Sequence, residues 1–234
     1  MVKFGTHHSA NHLRAGVAAT ELLAHWTTLP VPTVHATAFE DSPPSVIMDR
    51  CPGTPLADGF DDTERLTAPS AVRTLGRVIR DCWTVPASTL EGYGRIRSLE
   101  GTADSPRVGA EHETFRSWVR AYANRCYGSP AAHDALETSA PDVLEYLCNR
   151  TAVLPESPPQ SLIVTDLSPE NLLTLDGMPP ASPTELTGFV DLDGAKIGPL
   201  EFAAVNVEYS AHARRGRPPT DSSRAVRPTT DRPG

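Results

Sequence analysis

Three polar side chains in the second half of the chain have types and a spacing suited to metal binding and acid–base chemistry. Asp166 follows the apolar run 162–164, Asn171 comes five residues later, and Asp191 follows a third apolar run. Because each of the three residues lies at the end of a predicted strand, we expect their side chains to lie close together. Asp166 and Asn171 are expected at the mouth of one hairpin. Carboxylate and amide oxygens suit Mg²⁺ that also binds phosphate oxygens, and a lone carboxylate suits a proton acceptor for a hydroxyl nucleophile.

The spacing Asp166-x4-Asn171, followed by Asp191-x-Asp193 and by a glycine five residues later, resembles segments of a known family. This is the aminoglycoside phosphotransferase-like family, small-molecule kinases with the protein-kinase-like fold. The resemblance implies that Asp166 is the base that orients the acceptor hydroxyl and that Asn171 and Asp191 bind the metal at the ATP phosphates. An Asp-x4-Asn pair alone is weak evidence, because both residues are common in turns. Two unrelated Asp-capped hairpins are the alternative.

The start of the chain resembles part of the small lobe of that family. Residues 1–4 and the two segments 31–39 and 46–48 have strand character, the latter two as a hairpin. The resemblance implies that Lys3 holds the ATP phosphates and that Met48 lies in the hinge, where backbone groups bind the adenine edge.

The helix that follows Lys3 is predicted over residues 9–28 from its apolar periodicity. By resemblance this helix supplies an acid that pairs with the lysine, but that position falls on Gly16. The nearest acid, Glu21, lies about 140° further around the helix. We assign Glu21 to the cofactor site as an imperfect substitute, with a solvent-facing charge as the alternative.

The predicted fold class is α+β, a protein-kinase-like fold with two lobes. Residues 1–56 form a partial N-terminal nucleotide-binding lobe with the hinge, and residues 57–211 form a mainly helical C-terminal lobe with the catalytic loop. Residues 212–234 carry six Arg and two Asp and almost no apolar side chains, which predicts a disordered basic tail. The resemblance also implies a chain truncated at both ends relative to family members.

Apolar periodicity predicts three helices in the second lobe, over residues 63–84, 112–127 and 131–151. Between the first two, residues 91–107 contain several Gly and Ser and are predicted to form a loop.

The composition excludes several other classes of protein. A net charge of −8 disfavours nucleic acid or an anionic membrane as the main partner, because both require a basic surface. No apolar run of about 18 residues is present, and the start lacks the features of a secretory signal, so we expect a cytoplasmic protein. The four Cys are far apart, which argues against a zinc site and a disulfide framework.

The sequence therefore predicts an ATP- and Mg²⁺-dependent phosphotransferase that acts on a hydroxyl of a small molecule. By resemblance the acceptor is an aminoglycoside, choline, homoserine or a sugar-like compound. The alternative is an inactive kinase-like remnant, because only two residues precede Lys3, Gly16 replaces the helix acid, and an anchoring aspartate after Gly198 is missing. A metal-dependent hydrolase with Asp191 and Asp193 as ligands is a third interpretation.

Overall fold

The computed structural model describes residues 1–5, 10–56, 69–102, 104–128, 140–165, 167, 169–177 and 185–202. Two predictions lie outside these residues: Asp166 as the catalytic base and the basic tail at 212–234. No α-helix in the described part of the chain combines the length and apolar character needed to cross a membrane.

The main elements of the described part of the first lobe are one helix and one three-stranded antiparallel sheet. Helix α1 spans Ala10–Trp26, and strands β1, β2 and β3 span Val2–Phe4, Val34–Ala38 and Ser45–Met48. Strand β3 lies in the centre of the sheet, between β1 and β2. The predicted hairpin is thus confirmed, and the predicted helix is confirmed to within two residues at each end.

Helix α1 lies between this sheet and the main core of the protein. One side packs Leu13 and Val17 against Val46 of β3. The other side belongs to the main core, with the buried residues Ala15, Ala18, Ala19, Leu22 and Leu23. Alanine is the best helix former, and its small side chain allows neighbouring elements to approach the helix closely. The helix ends shortly before Pro30, which has no backbone N–H to continue it.

The second lobe contains three described α-helices, as predicted. They are α2 (Pro69–Cys82), α3 (Phe115–Tyr127) and α4 (Ala140–Arg150). Helix α3 begins where the hydroxyl of Thr114 accepts a hydrogen bond from the backbone N–H of Ser117, because such a cap satisfies an unpaired donor of the first turn.

The described part of the second lobe also contains more strand than the sequence predicts. The further strands are β4 (Thr54–Pro55), β5 (Leu90–Glu91), β6 (Tyr93–Thr102), β7 (Ser105–His112), β8 (Ser161–Ile163), β9 (Leu172–Thr174), β10 (Gly188–Phe189) and β11 (Lys196–Gly198). A three-stranded antiparallel sheet has the order β10–β9–β4, in which β4 comes from the end of the first lobe. A five-stranded sheet has the order β5–β7–β6–β11–β8.

The loop predicted over residues 91–107 is wrong, because most of it forms the long hairpin of β6 and β7. Ile96 of β6 and Val108 of β7 are buried in the main core, whereas Arg95 and Arg97 lie on the other side of the strand. Gly101 adopts a positive φ of 86° just before the turn, a conformation that glycine reaches without strain.

The predicted hairpin around Asp166 and Asn171 is also wrong. Strand β8, before Asp166, pairs with β11, whereas β9, after Asn171, pairs with β10 and β4. The two strands belong to different sheets because each finds its antiparallel partner further along the chain, and both are buried in the same core.

Candidate functional site

The pairing of β9 with β10 brings two predicted metal ligands together. Phe189 lies opposite Leu172 in this ladder. At its end the backbone N–H of Val190 donates to the carbonyl oxygen of Asn171 at 2.9 Å. Asn171 and Asp191 are therefore adjacent at the same end of the sheet, as the sequence predicts, although 20 positions separate them.

Asp191 has an unusual backbone conformation. Its φ of 60° and ψ of 56° lie in the left-handed region, the one such non-glycine residue in the described part of the chain. A short 3-10 turn follows over Leu192–Gly194, and Leu192 is buried in the main core. Strained residues of this kind persist where the surrounding structure holds them, and they are concentrated at functional sites.

The first lobe contributes Lys3 to the same place. Lys3 lies opposite Val46 in the ladder of β1 and β3, so its position is fixed by the small sheet. Its Nζ atom lies 2.6 Å from Oδ1 of Asp191 and 2.8 Å from Oδ2 of Asp193. One ammonium group thus contacts two carboxylates from the turn after β10.

The charges of this cluster are not balanced within it. Burial acts to lower the pKa of Lys3, but its hydrogen bonds and charge interactions with Asp191 and Asp193 outweigh burial and raise that pKa. Burial raises the pKa of Asp193, and Lys3 offsets this only in part. The neighbouring charge of Asp191 adds a smaller contribution that also raises the pKa of Asp193, because a nearby negative charge favours a bound proton. The cluster therefore favours a further cation.

A cavity of about 330 Å³ opens beside the cluster, within the usual range for small-molecule sites. Its charged end holds Lys3, Asp191 and Asp193, and its apolar part includes Val46 and Met48. An apolar cavity with one charged end has the polarity of a nucleotide, whose base is largely apolar at its faces and whose phosphates are anionic.

Met48 lines this cavity, but its backbone is engaged with Met1. The N–H of Met48 donates to the carbonyl of Met1 at 3.0 Å, and the terminal ammonium of Met1 donates to the carbonyl of Met48 at 2.7 Å. The sequence predicts Met48 at the nucleotide site, and in the structure Met48 is one of the residues that line the cavity. The backbone pairing to adenine stays a prediction that requires these two bonds to open.

Glu21 lies elsewhere. It lines a second cavity, of about 500 Å³, together with Arg14 and His35. It is not among the residues that line the cavity beside Lys3. Gly16 and Thr20 are the nearby residues of the same helix that line that cavity. The structure thus does not bring Glu21 to the carboxylates that contact Lys3, because the helix turns it to another side.

A model of the phosphotransferase enzyme family matches residues 2–207 of the sequence. The chain belongs to this family. Comparison with curated protein sequences found no match. Among solved structures, the crystal structure of an aminoglycoside-3'-phosphotransferase of type VIII is similar in fold, with a TM-score of 0.52. The two chains are 14% identical, and the match covers 92% of this chain and 76% of the other. The kinase-like fold predicted from the sequence is confirmed.

The segment before Asp166 is held in place by a threonine that the sequence analysis did not single out. The hydroxyl of Thr165 donates to the carbonyl of Gly194 at 2.8 Å and accepts from Nζ of Lys196 at 3.0 Å. Val164 is buried and Leu167 packs against the main core. The segment is thereby tied to the turn that carries Asp191 and Asp193.

Lys196 itself is in an unusual environment for a lysine. It lies opposite Arg95 in the ladder of β11 and β6. Burial, together with the charges of Arg95 and Arg125, lowers its pKa to about 8. Two cations at directly opposite positions on neighbouring strands repel each other. Only Lys3 and Lys196 are lysines in this Arg-rich chain, and that rarity was a signal that could have drawn attention to Lys196.

The predicted metal ligands fit Mg²⁺ by their chemistry. No three His, Cys, Asp or Glu side chains form a metal-binding group among the described residues. Asn171 and Asp191 instead offer an amide and a carboxylate on adjacent strand ends. Mg²⁺ commonly binds one or two protein oxygens and keeps its other positions for water and phosphate, so two ligands are sufficient. The unbalanced negative charge of the Lys3 cluster favours the same ion.

Proposed function

We propose that this phosphotransferase transfers the γ-phosphoryl group of ATP to a hydroxyl of a small molecule. The single observation that carries the proposal is the contact of Lys3 from the first lobe with Asp191 from the second at the charged end of one cavity, with Asn171 on the strand end beside Asp191. Phosphoryl transfer depends mainly on positioning and on charge stabilisation. A lysine and two oxygen ligands at one point supply both.

Each residue has a defined task in this proposal. Asn171 and Asp191 would hold Mg²⁺, which neutralises charge on the phosphates when bound. Lys3 exchanges a carboxylate contact for a phosphate oxygen, since its ammonium group is exposed to the cavity and remains charged. Val46 and Met48 contact the adenine base at the apolar end of the cavity.

Asp166 accepts the proton of the acceptor hydroxyl. This assignment comes from the family resemblance and from its place in the sequence, directly after Thr165. The two hydrogen bonds of Thr165 support the assignment, because they fix the segment that leads to Asp166 against the turn with Asp191. A base must be held within hydrogen-bond reach of the hydroxyl at the moment of transfer.

The acceptor class is an alcohol of low molecular weight. The chain belongs to the phosphotransferase enzyme family, and the similar solved structure is named as an aminoglycoside-3'-phosphotransferase. Aminoglycosides, choline, homoserine and sugar-like alcohols are therefore the compounds to test first.

The test is product formation from Mg²⁺-ATP and a mixture of such alcohols, read by mass spectrometry as phosphorylated products. We expect a phosphorylated alcohol with the native chain, none without Mg²⁺, and about 10²-fold less or lower still with Asp166→Asn. Binding of ATP without any transfer, to alcohol or to water, would contradict the proposal and favour the alternative of an inactive nucleotide-binding module.

A further inference from the structure

Asp193 contacts the first lobe at two points. Its Oδ2 atom lies 2.8 Å from Nζ of Lys3. Its other oxygen faces helix α1 at Gly16, where a Cβ atom would clash with Oδ1 and would lie 3.3 Å from the backbone N and Cα of Asp193. The carboxylate of Asp193 therefore occupies the space that a side chain at position 16 would need.

We propose that Asp193 is the residue that positions Lys3 for the ATP phosphates and that Gly16 makes this possible. The inference rests on the proposed function. A lysine has a long flexible side chain and a single charged end, so it needs a fixed carboxylate to hold it across a cavity. Helix α1 lines the same cavity as Lys3 but offers glycine there. The turn after β10 supplies the carboxylate instead.

The two carboxylates that contact Lys3 differ in a way that supports separate tasks. The side chain of Asp191 is 48% exposed, and that of Asp193 is 26% exposed and packed against α1. The more exposed Asp191 is adjacent to Asn171 and suits the metal. The more buried Asp193 is held by the helix and suits a positioning role.

The type of residue at position 16 is a second, independent observation. Glycine is among the poorest helix formers, and the residues around it in α1 are good ones, Ala15, Ala18 and Ala19. A glycine within such a helix is explained where another group approaches the backbone. Here that group is Asp193, which no larger residue at position 16 would admit.

The decisive experiment moves the carboxylate from the turn to the helix. ATP and adenosine are titrated by calorimetry, with Mg²⁺ present, into the native chain, Asp193→Ala, and the pair Gly16→Glu with Asp193→Ala. The matched control is Gly16→Gln with Asp193→Ala, which has the same shape without the charge. The melting temperature of each variant is measured without nucleotide.

We expect Asp193→Ala to weaken ATP binding about tenfold or more. Adenosine binding should change by no more than about twofold, because adenosine has no phosphate for Lys3 to contact. Adding Gly16→Glu to Asp193→Ala should recover most of the ATP affinity and of the melting temperature. Adding Gly16→Gln should recover neither. Equal recovery by Gln, or unchanged ATP affinity in Asp193→Ala, would overturn the inference. A fall in Mg²⁺ affinity that Glu at position 16 does not restore would also overturn it, since Asp193 would then be a metal ligand.

The inference and the proposed function fail in different ways. If the folded native chain binds no ATP, the proposed function is wrong. The pairing of Lys3 with Asp193 is then decided by the melting temperatures alone. A charge-specific recovery of several degrees in the Glu variant supports Asp193 as the partner that holds Lys3, and no recovery contradicts it.

Discussion

The Nζ atom of Lys3 lies 2.6 Å from Oδ1 of Asp191, although 188 positions separate the two residues. Lys3 is fixed by the small sheet and Asp191 by the turn after β10, so their contact joins the two lobes at the charged end of the cavity. This contact places the ammonium group of Lys3 beside the carboxylate of Asp191, the proposed metal ligand. The predictions below test what each part of this arrangement does.

Replacement of Lys3 tests the phosphate contact. We expect Lys3→Met to weaken ATP binding by about tenfold or more, because the cationic partner of the phosphates is lost. Lys3→Arg is the matched control, because it keeps the charge but changes the shape of the charged end, and it should lose less affinity. ATP affinity is measured by calorimetry with Mg²⁺. Equal affinity of Lys3→Met and the native chain would exclude Lys3 from the phosphate site.

Asp166→Asn tests the catalytic base. The amide cannot accept the hydroxyl proton, so turnover should fall by about 10²–10⁴-fold, with ATP affinity unchanged within about twofold. Turnover is measured as ADP release with a saturating acceptor alcohol. An equal loss of turnover and of ATP binding would show that Asp166 supports the nucleotide site and does not act as the base.

Leu192 tests the link between the core and the site. This side chain is 2% exposed and lies between Asp191 and Asp193. Leu192→Ala should lower the free energy of unfolding by about 2–5 kcal/mol and weaken Mg²⁺-ATP, since both flanking carboxylates lose their support. The matched control is Leu175→Ala, at a side chain that is 78% exposed, which should change neither. Denaturant unfolding and calorimetry measure the two effects.

Lys196 gives the protein a dependence of stability on pH with a definite sign. Burial and neighbouring arginines lower its pKa from 10.5 to about 8. Below pH 8 the side chain is charged in both the folded and the unfolded chain. The folded chain then bears the full free-energy cost of a buried charge beside two arginines. Between these two pKa values the unfolded chain binds the additional proton, so the Lys196 contribution to stability rises with pH.

Lys196→Met should therefore be more stable than the native chain at pH 7, by up to about 3 kcal/mol. The gain should shrink as the pH rises through the interval and vanish above 10.5. Lys196→Arg keeps the charge over this interval and serves as the control, with no gain at any pH. Melting curves from pH 7 to about pH 11 measure this. A Met variant that is less stable at pH 7 would contradict the assignment.

The elements around the site could be predicted because their signals are local. Helix α1 follows from its apolar period and its end before Pro30, and the apolar runs before Asp191 and around Asn171 do form strands. The sequence predicted that Asn171 and Asp191 lie close together, but from a hairpin around Asp166 and Asn171 that does not form. Their proximity comes instead from the pairing of β9 with β10. The choice of strand partner depends on tertiary packing, which the sequence of one short segment does not determine.

The long hairpin and the role of Asp193 could not be predicted in the same way. In β6 the run from Arg95 to Glu100 has charges on several positions and only two apolar side chains, Ile96 and Leu99, so its alternation is weak. Asp193 was noted in the motif, but its contact with Lys3 depends on how close α1 approaches the turn. That distance is set by the absence of a side chain at Gly16.

The central claim is that Lys3, Asn171 and Asp191 form a Mg²⁺-nucleotide site, and a calorimetric titration of ATP tests it most directly. The native chain is titrated with and without Mg²⁺, and the titrations are repeated with Asp191→Ala. We predict binding that requires Mg²⁺ and is lost in the variant. Binding that is equally strong without the metal, or unaffected by Asp191→Ala, in a sample shown to be folded, would contradict the claim.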